Sequence, residues 1–205
     1  MNRELLFPTP IYMKMVQEPK KLNKYLYPLV KAWSKRDKSE TKTNAGGGWH
    51  SPTSMNLHTE YKPLIDELFA MQYEIFKDYG MEPKPGLGNM WANINYPGSY
   101  NKQHLHPNSQ WSGVYYIKVP KNSGNLFVED PRPGPNIILP RRLNGLPRPL
   151  WRVVIYEAVE GQMIMFPGWL SHGVEINESK EKGEKGWRVS VSFNFVQINK
   201  EEKVG

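Results

Sequence analysis

Three histidines and one arginine are the residues of this chain whose types and spacing could do chemistry. His104 and His106 stand one residue apart in Gln103-His104-Leu105-His106-Pro107. Side chains of an extended strand alternate faces with period two, so both imidazoles should project to one side, a chelating arrangement. His172, after the loop-like Phe166-Pro167-Gly168-Trp169, is the only later histidine and can approach the pair from a different strand. A divalent metal that does chemistry needs two or three imidazoles or carboxylates converging at about 2 Å, with positions left open. The chain has no cysteine, so His, Asp or Glu must supply every ligand. The expectation is a mononuclear metal centre of His104, His106 and His172 inside a β-barrel.

Arg188 opens the alternating run Arg188-Val189-Ser190-Val191-Ser192-Phe193-Asn194-Phe195. Ser190, Ser192 and Asn194 share its face, and small polar side chains facing a barrel interior call for a ligand to satisfy them. His50 and His58 have no partner at ligand spacing and read as surface or structural residues. Asp130 is a weaker candidate carboxylate ligand, because its Pro-flanked turn explains it structurally.

The elements that must position these groups follow from periodicity. Leu5 to Met15, interrupted by Pro8 and Pro10, reads as an edge strand. Leu22, Tyr25, Leu26, Leu29, Val30 and Trp33 recur at helical spacing after Pro19, and Leu64, Leu68, Met71, Ile75 and Phe76 do so between Tyr61 and Tyr79. A polar loop ending in Gly46-Gly47-Gly48 separates the two helices. Beyond Gly80 the period changes to two: Met90 to Tyr96, His104 to Lys118, Leu126 to Val128, Trp151 to Ala158, Met163 to Phe166, His172 to Ile176 and Arg188 to Ile198 read as short strands. Many short strands without intervening helices make an antiparallel sandwich or barrel. The fold class is therefore mainly β, a jelly roll with two N-terminal helices packed on one sheet.

At 205 residues the chain suits a single domain, with a helical part over 17–80 and a jelly-roll core over 88–199. The Pro-rich stretch 131–149 and the segment 46–50 should shape a binding mouth, and Trp49, Trp111 and Trp169 either pack or stack on a ligand. The net charge of +7, from 27 basic and 20 acidic residues, is scattered without a dense basic block, which argues against a nucleic-acid partner. The runs 180–185 and 200–205 read as a charged hairpin tip and a solvated tail. No apolar run approaches the roughly 18 residues of a membrane span, so the expectation is a soluble, cytoplasmic protein without a membrane partner. Sheet edges can pair across a two-fold axis, so a homodimer is compatible with the sequence.

Taken in order, Asn93, His104-x-His106-Pro107, Ser112-Gly113-Val114-Tyr115-Tyr116, Gly124 to Phe127, Glu129-Asp130-Pro131-Arg132, Gly161 to Pro167 leading to His172, and Arg188-x-Ser190-x-Ser192-Phe193-Asn194 resemble the 2-oxoglutarate- and Fe(II)-dependent oxygenases. The resemblance is to a branch found in bacteria and marine phages, and it extends to Leu6-Phe7-Pro8-Thr9-Pro10 and Gly47-Gly48-Trp49. It implies a cupin-like double-stranded β-helix of a bacterium or phage-infected cell. Fe(II) would be held by a His-x-acid pair and a distal histidine, with 2-oxoglutarate and molecular oxygen as co-substrates. This sequence departs from the pattern at one ligand, since His106 stands where the family usually has Asp or Glu. Arg188 occupies the position that holds the far carboxylate of 2-oxoglutarate, a task suited to a planar bidentate donor. Tyr116 and Ser190 match its hydrogen-bonding helpers, and Asn93 matches a further polar contact. The implied reaction is decarboxylation of 2-oxoglutarate coupled to hydroxylation of a small-molecule or peptidyl substrate. Two other readings fit the residues: a cupin-like three-histidine metal enzyme that does not use 2-oxoglutarate, and a non-enzymatic jelly-roll binding protein.

Overall fold

Pro19, fixed by its ring near helical φ, opens α1 (Pro19–Arg36), and Pro63 sits in the first turn of α2 (Lys62–Asp78). In this computed structural model the described residues are 1–2, 4, 6–37, 44–81, 85–133, 148 and 151–197. Most of the stretch 131–149, the tail 200–205 and part of the polar loop 35–48 lie outside them.

Eleven strands are described: β1 (Tyr12–Met15), β2 (Asn44–Ala45), β3 (Trp49–His50), β4 (Pro85–Asn95), β5 (Tyr100–His104), β6 (Trp111–Lys118), β7 (Leu126–Glu129), β8 (Val153–Tyr156), β9 (Gln162–Pro167), β10 (His172–Val174) and β11 (Arg188–Gln197). They form two sheets, ordered β1-β9-β6-β11-β4-β3 and β2-β5-β10-β7-β8, with every ladder pairing antiparallel. This is the expected jelly roll.

The alternation of β11 decides which layer each residue joins. Val189, Val191, Phe193 and Phe195 turn outward and are buried against the helices with Leu26, Val30, Leu68 and Phe76. Helix α1 packs on β6 and α2 on β4, so both cover the six-stranded sheet, as expected. Burial of each such side chain contributes roughly 1.5–3 kcal/mol, so this layer anchors the sheet that carries the site. Arg188, Ser190, Ser192 and Asn194 occupy the opposite face, between the sheets. Register extends that polar floor sideways: Ser190 pairs with Asn93 on β4 and Tyr116 on β6, and Asn194 pairs with Asn89 and Ser112. The charged turn near residue 184 docks on the helical layer, where Lys31 reaches Glu184 at 2.7 Å.

Strand boundaries shift from the sequence reading: the edge strand read from Leu5 begins at Tyr12, the strand read from Met90 begins at Pro85, and one stretch is divided. The stretch from His104 to Lys118 is two strands, because β5 ends at His104 and the chain turns before Trp111. Pro107 and Asn108, the latter at φ 65°, make that turn.

Candidate metal centre

His104 and His106 reach one site from a strand end and a turn. The His106 amide donates to the Gly168 carbonyl at 2.9 Å, which ties the turn to the loop before His172. His172 lies opposite His104 in the β10–β5 pairing. Each of the three rings offers one nitrogen within 4.8 Å of the others. The imidazoles named from the sequence are therefore brought together.

Two rings are oriented by the backbone. His104 Nδ1 donates to the Lys102 carbonyl at 2.7 Å and His172 Nδ1 to the Leu170 carbonyl at 2.8 Å. With its proton held on Nδ1, each ring keeps the Nε2 lone pair for a metal, the supporting arrangement metal-binding histidines usually have. His106 Nε2 lies 3.2 Å from His172 Nε2. Burial, and then the nearby His104, push His106 down to about 4 and His172 down to about 3. Both stay neutral near pH 7, the form that ligates. Three converging imidazoles suit a first-row divalent metal such as Fe(II).

Arg188 lies in the same cavity, of about 400 Å³, at 1% exposure. Its Nη1 donates to the carbonyls of Ser123 and Gly124 at 3.0 Å each. Gly124 (φ 84°) has to be glycine, since a Cβ there would collide with the Glu175 carbonyl. The Arg188 Nε is buried without a hydrogen-bond partner, and no carboxylate lies within salt-bridge distance of the guanidinium among the described residues. Burial lowers its pKa to about 10, so it remains cationic at neutral pH. A buried unpaired cation is costly, and an anion entering the cavity would relieve that cost. Tyr116, whose hydroxyl burial pushes up to about 12, and Ser190 line the same cavity. Asn93 lines it too and donates to Ser192 Oγ at 3.0 Å.

The β3–β4 side of the cavity carries residues the sequence reading did not assign. His50, expected to be a surface or structural residue, is 6% exposed and lines the cavity. Pairing with Asn93 turns it toward the interior, and its ring stacks on Trp91 at 5.4 Å and 19°. A two-residue strand carries no readable period, whereas Trp91 was legible as sharing the face of Asn93. Asp130 does not join the cluster: Arg132 binds it at 2.9 and 2.7 Å, and that hydrogen bond holds its carboxyl below the usual range. Trp49 and Trp111 are packed, Trp49 donating to the Asp37 carbonyl at 3.0 Å and Trp111 lying edge-on to Tyr12. Trp169 is 52% exposed.

The fold and the imidazole cluster define a double-stranded β-helix of the metalloenzyme kind. Residues 89–194 match the family described as "Putative 2OG-Fe(II) oxygenase". That span is more than half of the 205 residues, and the chain belongs to this family, whose cofactors are Fe(II) and 2-oxoglutarate. The solved structures that share the fold include the following three. A Pseudomonas putida prolyl-4-hydroxylase aligns with a TM-score of 0.63 and 13% identity, over 93% of this chain and 94% of its own. The epimerase SnoN, in complex with Fe3+, alpha ketoglutarate and nogalamycin RO, aligns with a TM-score of 0.65 and 13% identity, over 92% and 79%. The viral collagen prolyl hydroxylase of Paramecium Bursaria Chlorella virus-1, a 2OG complex, gives 0.54 and 12%, over 91% and 97%. No curated protein matches the sequence significantly.

Proposed function

We propose that the protein couples decarboxylation of 2-oxoglutarate to hydroxylation of an uncharged group on a second substrate. His104, His106 and His172 hold the metal, and Arg188 anchors the co-substrate. The observation that carries this reading is the buried guanidinium of Arg188, which has no carboxylate partner among the described residues and opens into the cavity of the three imidazoles. A dicarboxylate fits both ends: one carboxylate meets a cation in low dielectric, while the keto-acid end faces the metal ligands.

Bound Fe(II) and 2-oxoglutarate supply the oxidising chemistry, in which 2-oxoglutarate and O₂ give succinate, CO₂ and one oxygen atom for a C–H bond. The protein's own contribution is positional. Arg188 is held by the carbonyls of Ser123 and Gly124, so one edge of its fork is fixed before any ligand arrives. Tyr116 and Ser190, paired across β6 and β11, flank the anchored carboxylate, and Asn93 lies beside them on β4. Three imidazoles leave the metal one charge more positive than two imidazoles and a carboxylate would, and the dianion offsets that excess.

The second substrate is assigned to the His50–Trp91 side, on β3 and β4. Among the described residues lining the cavity, Arg188 is the one Lys, Arg, Asp or Glu, and the co-substrate takes it, so no oppositely charged side chain is left for a charged group of the second substrate. The cavity is near the small end of ligand pockets, which run from about 300 to 1,000 Å³. With 2-oxoglutarate inside, room remains for one residue-sized group, such as a peptidyl side chain or a small neutral ring. The prolyl hydroxylases sharing the fold favour a peptidyl substrate. Succinate production from 2-oxoglutarate, measured against pools of neutral peptides, charged peptides and small metabolites, tests the assignment. Stimulation by a neutral pool is expected, and stimulation confined to charged pools would contradict it.

The three-histidine ligand set also favours a second reading, a metal enzyme that does not use 2-oxoglutarate. That reading leaves Arg188 without a task. Calorimetric titration of the metal-loaded protein separates the two: 2-oxoglutarate should bind the wild type and bind Arg188→Ala more weakly by about 1.5–3 kcal/mol.

A further inference from the structure

His104 and His172 are fixed by the β5–β10 ladder, whereas His106 belongs to the turn that follows β5. Packing does little to fix that turn, since Leu105, Pro107 and Asn108 are all exposed. One residue of another loop grips it instead. The Gly168 carbonyl accepts from the His106 amide at 2.9 Å, and the Gly168 amide donates to the Gln110 carbonyl at 3.2 Å. Both backbone groups of Gly168 therefore bind the turn that carries one of the three imidazoles.

The missing side chain of Gly168 matters as much as these bonds. A Cβ there would collide with the Ser109 carbonyl oxygen and lie 2.9 Å from the Ser109 carbonyl carbon, and these are backbone atoms that cannot rotate aside. Gly168 is not among the residues with positive φ, so the neighbouring turn, not backbone geometry, is what excludes a side chain. Carbon atoms pack at about 3.5 Å or more, so starting from 2.9 Å the two segments would have to part by roughly 0.6 Å at least.

The turn is the segment that would yield. The loop before His172 is held at both ends: Phe166 and Leu170 are 2% and 1% exposed, the Leu170 amide donates to the Pro167 carbonyl at 2.9 Å, and the Ser171 carbonyl accepts from the Glu129 amide at 2.9 Å. A displaced turn takes His106 with it. Functional constellations must be held within about 0.5 Å of their working geometry, so one methyl group at this contact exceeds what a metal ligand tolerates.

We propose that Gly168 is a positioning residue for the metal site: its bare Cα lets the loop before His172 lie against the turn after β5 and so sets the place of His106. The inference rests on the three-histidine site assigned above. It separates the ligands into two groups, a pair fixed by strand pairing and a third fixed by this loop contact.

Calorimetric titration with Ni(II), which stands high in the affinity order of divalent metals and so keeps weakened sites measurable, tests the role of Gly168 in three backgrounds. In the wild type, Gly168→Ala should weaken binding by about 10- to 100-fold, as for other groups supporting a metal ligand. In His106→Ala the same change should alter affinity by less than twofold, because the ligand it positions is gone. In His172→Ala it should still cost its full factor. Gly168→Ala within twofold of the wild type overturns the proposal, and so does an equal loss in all three backgrounds, which would mark a general loosening of the fold. If Gly168→Ala does not fold, amide hydrogen exchange of the wild type decides. A His106 amide protected at least tenfold beyond the exposed Asn108 amide supports the grip, and equal exchange of the two overturns it. A wild type that binds no Ni(II) contradicts the metal site itself, whereas a wild type that binds it no better than Gly168→Ala contradicts the role of Gly168 alone.

Discussion

His172 stands directly opposite His104 where β10 pairs with β5, with their ring centroids 4.4 Å apart. A residue opposite another in an antiparallel ladder shares its face, so this pairing alone commits two imidazoles to one point between the sheets. His106 joins them from the turn that follows β5.

Removing one of this pair should cost more than removing a supporting group. His172→Ala should weaken Mn(II) binding by more than the roughly 100-fold upper range of such losses. Calorimetry measures it, with circular dichroism checking that the fold persists. Full retained affinity would show that the three histidines are not the ligand set.

His106→Asp should restore the negative charge the usual ligand set carries. Hard cations favour carboxylate and softer ones imidazole. The variant should therefore bind Mn(II) better relative to Ni(II) than the wild type does, as read from paired titrations. An unchanged preference would place His106 outside the coordination sphere.

Arg188→Ala should leave metal binding nearly intact and weaken 2-oxoglutarate binding by about 1.5–3 kcal/mol, the range for hydrogen bonds to charged groups. Thermal melts offer a second reading. At about 100 times its dissociation constant, 2-oxoglutarate should stabilise the metal-loaded wild type by roughly 2.7 kcal/mol and the variant far less.

The metal-free protein should lose stability in acid. Unfolded histidine titrates near 6.5, whereas His106 and His172 are depressed in the fold to about 4 and about 3. Between those values the unfolded chain binds more protons, so stability rises with pH across the window and falls as pH drops from about 6.5 toward 4. Urea melts at pH 4.5, 5.5 and 7 should show the trend, and His172→Gln should flatten it.

Much of this was readable because β11 alternates without interruption: Val189 to Phe195 on one face and Arg188 to Asn194 on the other belong to two different layers. His-x-His was also readable as a chelating pair, although Pro107 and Asn108 end the strand and bring His106 in from a turn. His50 was not readable, because its strand is two residues long and its place depends on pairing with Asn93, far along the chain. The grip of Gly168 on His106 was hidden for a similar reason. Sequence places Gly168 in a loop before His172, but only the turn after β5 brings the His106 amide within 2.9 Å of its carbonyl.

The absorption spectrum of the purified protein with Fe(II) and 2-oxoglutarate in the absence of oxygen tests the central claim most directly. The account predicts a visible metal-to-ligand charge-transfer band that appears only when both are present and is lost in His172→Ala. A spectrum unchanged by 2-oxoglutarate, in protein shown to contain Fe(II), would contradict it.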